Sequence, residues 1–239
     1  GIPYFLHESN AQPGALVKLL AKGARRVWCG MEALRERLPG ADCRMVGTPV
    51  RASFLRDFKP VDSLVPPYRL LVVGGSGGAR ALNEAMLAAA SDLLDRFPEW
   101  EILHQTGARD FPELVKNSRH PRHHIQPFLE DMDQVMESSS LVVSRSGAST
   151  CAELKACGRP GILVPMPASA GDHQTMNALA MVSEGRAVHI PQKADLAGVL
   201  AAEMTRWMAD MQLRTGFPGA EPNRAVELCL EELASCLKP

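Results

Sequence analysis

The chain has 239 residues, 46% of them hydrophobic and 22% charged, an ordinary soluble composition of a size for one large domain or two small ones. Its 26 basic and 27 acidic residues leave a net charge of -1, without the basic excess of a phosphate-backbone binder, so nucleic acid is not an expected partner. No apolar run reaches the roughly 18 residues of a membrane span, and no signal peptide is visible ahead of the first apolar segment.

In chain order, residues 2–6 read as a strand and 13–22 as a helix with Leu16, Leu19 and Leu20 on one face; 26–29 and 44–46 are short strands. The first residue is Gly1 and leads straight into a strand, which reads as a chain cut inside a domain. Residues 48–67 break the periodicity with Thr48-Pro49, Pro60, Asp62-Ser63 and Pro66-Pro67, the signature of a linker. A second series then alternates strands at 70–73, 101–104, 124–128, 141–143, 161–164 and 187–190 with helices at 79–96, 111–117, 131–138, 150–157, 174–183, 195–208 and 223–237. Short, continuously apolar strands are those buried on both faces, so this pattern predicts an α/β fold with a doubly wound parallel sheet.

The six cysteines, Cys29, Cys43, Cys151, Cys157, Cys229 and Cys236, form no C-x-x-C pair, and no Cys/His cluster has zinc spacing. Reduced, partly buried thiols are expected, with no metal and no cofactor.

Ligands of such sheets bind at the carboxyl ends of the strands, so the loops there carry the functional signal. Strand 70–73 runs into Gly74-Gly75-Ser76-Gly77-Gly78-Ala79 and a helix. Glycines let backbone N–H groups close on a phosphate, the helix N-terminus adds positive potential, and Ser76 adds a hydroxyl. The segment also matches the nucleophile elbow G-x-S-x-G, which would make Ser76 a hydrolase nucleophile with Asp131 or Asp172 and His173 or His189 as partners. A dinucleotide fingerprint fits less well, because Arg80 stands where its third glycine belongs. After strand 141–143 comes Ser144-Arg145-Ser146-Gly147-Ala148-Ser149-Thr150 and a helix with Glu153. Glu153 suits the vicinal hydroxyls of a ribose, or forms a capping pair with Ser149 or Thr150. After strand 161–164, Gln174 and Asn177 share one face of a helix start, and side-chain amides pair well with sugar hydroxyls.

Taken together, His7-Glu8-Ser9-Asn10 with Pro13-Gly14, Gly47-Thr48-Pro49-Val50-Arg51, the 74–83 loop and helix, 144–153, and His173-Gln174-Thr175-Met176-Asn177-Ala178 are collinear segments similar to the MurG family of N-acetylglucosaminyltransferases. The resemblance runs from the start of the chain to about residue 190. It implies a GT-B fold, with two Rossmann-like domains across a cleft, in a chain lacking most of the N-terminal domain. Residues 1–50 would be the tail of the acceptor domain, 51–222 the UDP-sugar-binding domain, and 223–239 a helix packing back toward the acceptor side. It implies an inverting transfer of N-acetylglucosamine from UDP-N-acetylglucosamine to an undecaprenyl-linked muramoyl-pentapeptide, at the cytoplasmic side of the bacterial inner membrane, with the membrane surface met peripherally. A non-catalytic donor-binding subunit is the other expectation left open.

Carried across by position, Asn10 would touch the N-acetylglucosamine, Arg51 the donor near the nucleotide, and Ser76 with Gly77 the diphosphate. The Leu129 backbone would read the uracil. Ala148, Ser149, Thr150, Cys151, Ala152 and Glu153 would line the nucleotide, with Glu153 on the ribose. Gln174 would bind sugar hydroxyls, with His173 and Asn177 beside it. Ser9 and Gly77 stand where the family commonly has Gln, and nothing here matches the family's N-terminal glycine-rich loop ending in His, its candidate for the general base.

Overall fold

Two parallel sheets form from the apolar runs in the computed structural model, which describes residues 2–75, 77–167 and 170–237. The first consists of β1 (Phe5–Glu8), β2 (Arg26–Cys29) and β3 (Cys43–Met45), in that order. The second contains β4 (Tyr68–Val73), β5 (Trp100–Gln105), β6 (His123–Gln126), β7 (Leu141–Ser144), β8 (Gly161–Leu163) and β9 (Ala187–His189) in the order β6-β5-β4-β7-β8-β9, all parallel. The expected α/β, doubly wound, GT-B-like architecture is therefore what forms. The direction of winding reverses between β4 and β7, and the loops leaving these two neighbours open a crevice at their carboxyl ends.

Successive strand residues face opposite ways. Leu70, Val72, Ile102, Leu141 and Val143 enter one core, and Leu71, Val73, Leu103 and Val142 the other. Helix α2 (Arg80–Arg96) covers the first face with a stripe of Leu82, Ala85, Met86, Ala89, Leu93 and Leu94 at helical spacing, joined by Leu200, Met204 and Trp207 of α7 (Leu196–Ala209). The second face is closed by α4 (Met132–Glu137), α5 (Ala148–Cys157) and α6 (His173–Ser183), through Met136, Leu154, Ala178 and Met181. Helix α3 (Phe111–Asn117) spans the residues expected of it. The linker is strapped to this domain: Phe54 and Phe58 are buried in the second core, and its backbone forms two short 3-10 turns.

The first strand begins later than the apolar run suggests, at Phe5 rather than residue 2, since Pro3 has no N–H for the ladder and pairing with β2 starts at Phe5↔Arg26. Helix α1 (Ala15–Leu20) buries no residue, and Leu16 and Leu19 are 66% and 78% exposed. A 3-10 turn at Glu32–Arg37, not expected from the sequence, supplies Leu34 to the small core of this sheet. Helix α8 (Met211–Thr215) was equally unforeseen; Asp210 caps it, accepting from the Gln212 and Leu213 amides at 2.8 and 3.3 Å. Helix α9 (Ala225–Leu237) lies on the first sheet. Its Glu232 carboxylate accepts from the Trp28 indole, from Arg44 at 2.7 Å and from Arg26 at 3.3 Å. Among the described residues no helix is long and apolar enough to cross a membrane.

Candidate functional site

The loop leaving β4 needs glycine for a close approach. Gly78 has φ +75°, and a Cβ there would sit 2.2 Å from the Thr106 carbonyl oxygen in the loop after β5. Gly107 (φ +79°) meets the Gly78 backbone from the other side. The two loops therefore pack main chain to main chain, where no side chain can intervene. Gln105, the last residue of β5, ties them further: its amide N–H donates to the Gly75 carbonyl at 3.2 Å, and its Oε1 accepts from the Leu129 amide at 3.0 Å. Gly77 is exposed at the tip of this loop, and Ser76 lies outside the described residues.

Below the loop, α2 contributes Asn83, fully buried, whose amide donates to the Thr106 carbonyl and to Asp110, both at 2.9 Å. Its Oδ1 is 3.1 Å from His104, which is in turn 3.3 Å from His123. Burial holds both rings neutral, His104 down to about 3 and His123 to about 4. The polar run His104-Gln105-Thr106-Gly107 at the end of an apolar strand is the sequence signal for this support.

Beyond β7, the turn through Ser146 and Gly147 starts α5. Gly147 is the N-cap and makes no side-chain cap bond, so the alternative role of Glu153 as a capping partner is not realised. Glu153 instead pairs with Arg51, whose Nε and Nη2 both reach its Oε1, at 3.2 and 3.0 Å. Burial raises the Glu153 carboxyl above the usual carboxylate range, and the Arg51 guanidinium offsets only part of that rise. Of the other α5 positions, Ser149 is exposed and one turn before Glu153, and Thr150 is half-buried. Cys151 is fully buried in the second core, its thiol pushed up to about 12, and faces the sheet instead of the crevice. Ala148 and Ala152 line a cavity of about 260 Å3 shared with Gly47, Thr48 and Met181.

The loop after β8 leads into α6. His173 packs against Gly171, and its buried Nδ1 has no partner among the described residues. Gln174 accepts from the Met166 amide at 2.9 Å through Oε1, and its carbonyl accepts from the Ser146 hydroxyl at 2.8 Å. Asn177 turns inward. Its Oδ1 accepts from the Ala11 amide at 2.8 Å, and its N–H group donates to Asn10 Oδ1 at 3.0 Å and to the Ser146 carbonyl at 3.1 Å. Asn10, after β1, is held from its other side by the buried Glu8, at 3.0 Å.

One rim thus gathers the glycine loop, Leu129, the α5 start with Glu153, Gln174 and, from the first sheet, Asn10; Arg51 reaches in from the linker. Neither His173 nor His189 has a hydrogen-bonded carboxylate among the described residues, so the His–carboxylate pair of a hydrolase relay is not formed among them. No group of three or more His, Cys, Asp or Glu among those residues could hold a metal ion.

A doubly wound parallel sheet with glycine and small-residue turns at its switch point is an α/β domain of the GT-B-like kind. The chain belongs to the glycosyltransferase family 28 C-terminal domain family, which matches residues 69–213. It is 38% identical over 237 residues to the UDP-N-acetylglucosamine--N-acetylmuramyl-(pentapeptide) pyrophosphoryl-undecaprenol N-acetylglucosamine transferase of Hydrogenovibrio crunogenus, covering 97% of this chain and 65% of that protein. The transferase of the same name from an Exiguobacterium species is 38% identical over 234 residues, covering 92% and 64% respectively. The crystal structure of Acinetobacter baumannii MurG superposes with a TM-score of 0.78 at 28% identity, covering 98% of this chain and 68% of that one. The chain spans a little under two thirds of the length of the two curated relatives.

Proposed function

We propose that this chain carries the donor half of an inverting N-acetylglucosaminyltransferase, binding UDP-N-acetylglucosamine for transfer to an undecaprenyl-diphospho-muramoyl-pentapeptide in peptidoglycan synthesis. The observation that carries the reading is the convergence, at the β4/β7 switch point, of a glycine loop and a helix start suited to a diphosphate with a half-buried carboxylate suited to a ribose. The names of the transferases it is similar to supply the sugar and the acceptor.

In this reading Ser76, Gly77 and the α5 N-terminus hold the diphosphate. Glu153 takes the ribose hydroxyls. The Leu129 amide is already used by Gln105, so a uracil edge would meet its carbonyl. Gln174 and Asn10 face the sugar, with His173 nearby. Asn177 acts behind them by fixing Asn10.

The acceptor C4 hydroxyl attacks C1 of the sugar as the bond to the β-phosphate breaks, and negative charge grows on the leaving UDP. N–H groups of the loop leaving β4 and of the first turn of α5 stabilise that charge, and losing one such donor costs roughly 3 kcal/mol of barrier. A positioned base on the acceptor hydroxyl would add on the order of 100- to 10,000-fold; no residue of this chain is assigned that role.

Residues 1–50 are then part of the acceptor domain, 51–222 the donor domain, and 223–239 a helix returning to the acceptor side. The open edge of β1, the uncovered Leu16 and Leu19, and the Glu232 contacts to Trp28, Arg26 and Arg44 support this division. The whole enzyme would act peripherally at the cytoplasmic face of the inner membrane, serving cell-wall growth, cell shape and division.

Titration calorimetry with UDP tests the donor site. The protein binds UDP, and Ser76→Ala and Glu153→Ala each weaken binding about tenfold or more while the fold is kept by circular dichroism. Unchanged affinity in both variants defeats the assignment.

A further inference from the structure

Arg51 meets Glu153 in an unsymmetrical way. A guanidinium and a carboxylate usually pair fork to fork, one nitrogen to each oxygen. Here both nitrogens go to Oε1, and Oε2 has no partner among the described residues. The carboxylate is the sheltered member, its side chain 13% exposed against 52% for Arg51. A carboxylate so far out of water needs a fixed partner. Arg51 is its only ion-pair partner among those residues; Lys155, two residues on, turns away to Glu184 at 2.8 Å. The Cys157 thiol one turn later bonds the Glu153 carbonyl, not its side chain.

Arg51 is itself held. Its guanidinium lies 5.2 Å from the centroid of the Phe54 ring, and Phe54 is 1% exposed in the second core. The linker that joins the two sheets therefore sets where Arg51 stands, and Arg51 sets where Oε2 points.

We propose that Arg51 is a positioning residue that works through Glu153: it occupies one carboxylate oxygen so that the other is presented to the ribose 2′- and 3′-hydroxyls, and it makes no contact with the diphosphate. Ribose recognition is thereby coupled to the strap between the two sheets. The inference rests on the donor-site reading above.

The test measures UDP and 2′-deoxy-UDP affinities by calorimetry for the wild type, Arg51→Met, Glu153→Gln and the double variant, each checked for an unchanged melting temperature. The wild type should prefer UDP over 2′-deoxy-UDP by about tenfold. Arg51→Met should lose that preference, binding UDP about tenfold more weakly and 2′-deoxy-UDP almost as before. The double variant should bind UDP no more weakly than Glu153→Gln. A cation acting on the phosphates, or on overall packing, would instead weaken both ligands equally and add its loss to that of Glu153→Gln; either result overturns the proposal. Failure of the wild type to bind UDP at all would overturn the donor-site reading itself, a different outcome from an Arg51→Met variant that keeps the preference.

Discussion

Asn177 is fully buried, and its one amide bridges three backbone or side-chain partners from two different loops. Two of these, Ala11 and Asn10, belong to the segment after β1, and the third, Ser146, to the turn after β7. Truncation would leave the Ala11 N–H buried without an acceptor, which costs about 1–3 kcal/mol. Asn177→Ala should therefore lower stability by that amount in urea denaturation. It should also weaken UDP-N-acetylglucosamine binding while leaving UDP binding nearly unchanged, because Asn10 loses the tie that fixes it at the proposed sugar position; an equal loss for both ligands would argue against that role. The sequence made Asn177 visible, since it stands three residues after Gln174 on the same helix face. It did not reveal that the side chain turns inward, because spacing gives neighbours on a helix and not what lies opposite them. Cys151 has the same lesson: inside a stretch of six expected ligand-lining residues, helical geometry allows only some of them to face the crevice, and Cys151 points into the core.

The strands and most helices were legible because the signals are local. Apolar runs bounded by glycine and polar residues located the strands of the second sheet to within a few residues, although β6, His123-His124-Ile125-Gln126, is not itself a continuous apolar run. Strand order was not legible, since it depends on which apolar faces the crossovers bring together. The linker shows a second limit. Its prolines announced irregular backbone correctly, but Phe54 and Phe58 bind it to the domain as a strap, and Arg51 is anchored by that strap. Helices α8 and the Glu32–Arg37 turn were missed because short elements carry too few periods to register. Among the loops, the one leaving β4 makes the sharpest demand on sequence. Gly78→Ala would place a methyl group 2.2 Å from the Thr106 carbonyl at a φ of +75°. Both the steric conflict and the backbone strain act, so the loss should reach at least about 2 kcal/mol. Thermal unfolding should register it, together with weaker UDP binding. A variant with wild-type melting temperature and affinity would mean that the loops after β4 and β5 are not packed as described.

The molecule as a whole joins a small sheet to a large one through the strap, the Asn10–Asn177 tie and the returning helix α9. The large sheet has two cores of its own, whereas among the described residues the central cluster of the small one is Ala21, Val27, Cys29, Leu34 and Leu38. The proposed donor rim belongs to the large sheet, and the small sheet contributes Asn10 to its edge. This arrangement fits a reaction in which one body holds the nucleotide and the other brings the acceptor to it. A crystal structure of the protein with UDP-N-acetylglucosamine tests the arrangement most directly. The uracil should lie against the Leu129 carbonyl, the ribose hydroxyls within hydrogen-bond distance of Glu153, the diphosphate over the 75–79 turn and the start of α5, and the sugar near Gln174 and Asn10. A nucleotide bound away from the β4/β7 switch point, with Glu153 still paired only to Arg51, would contradict it.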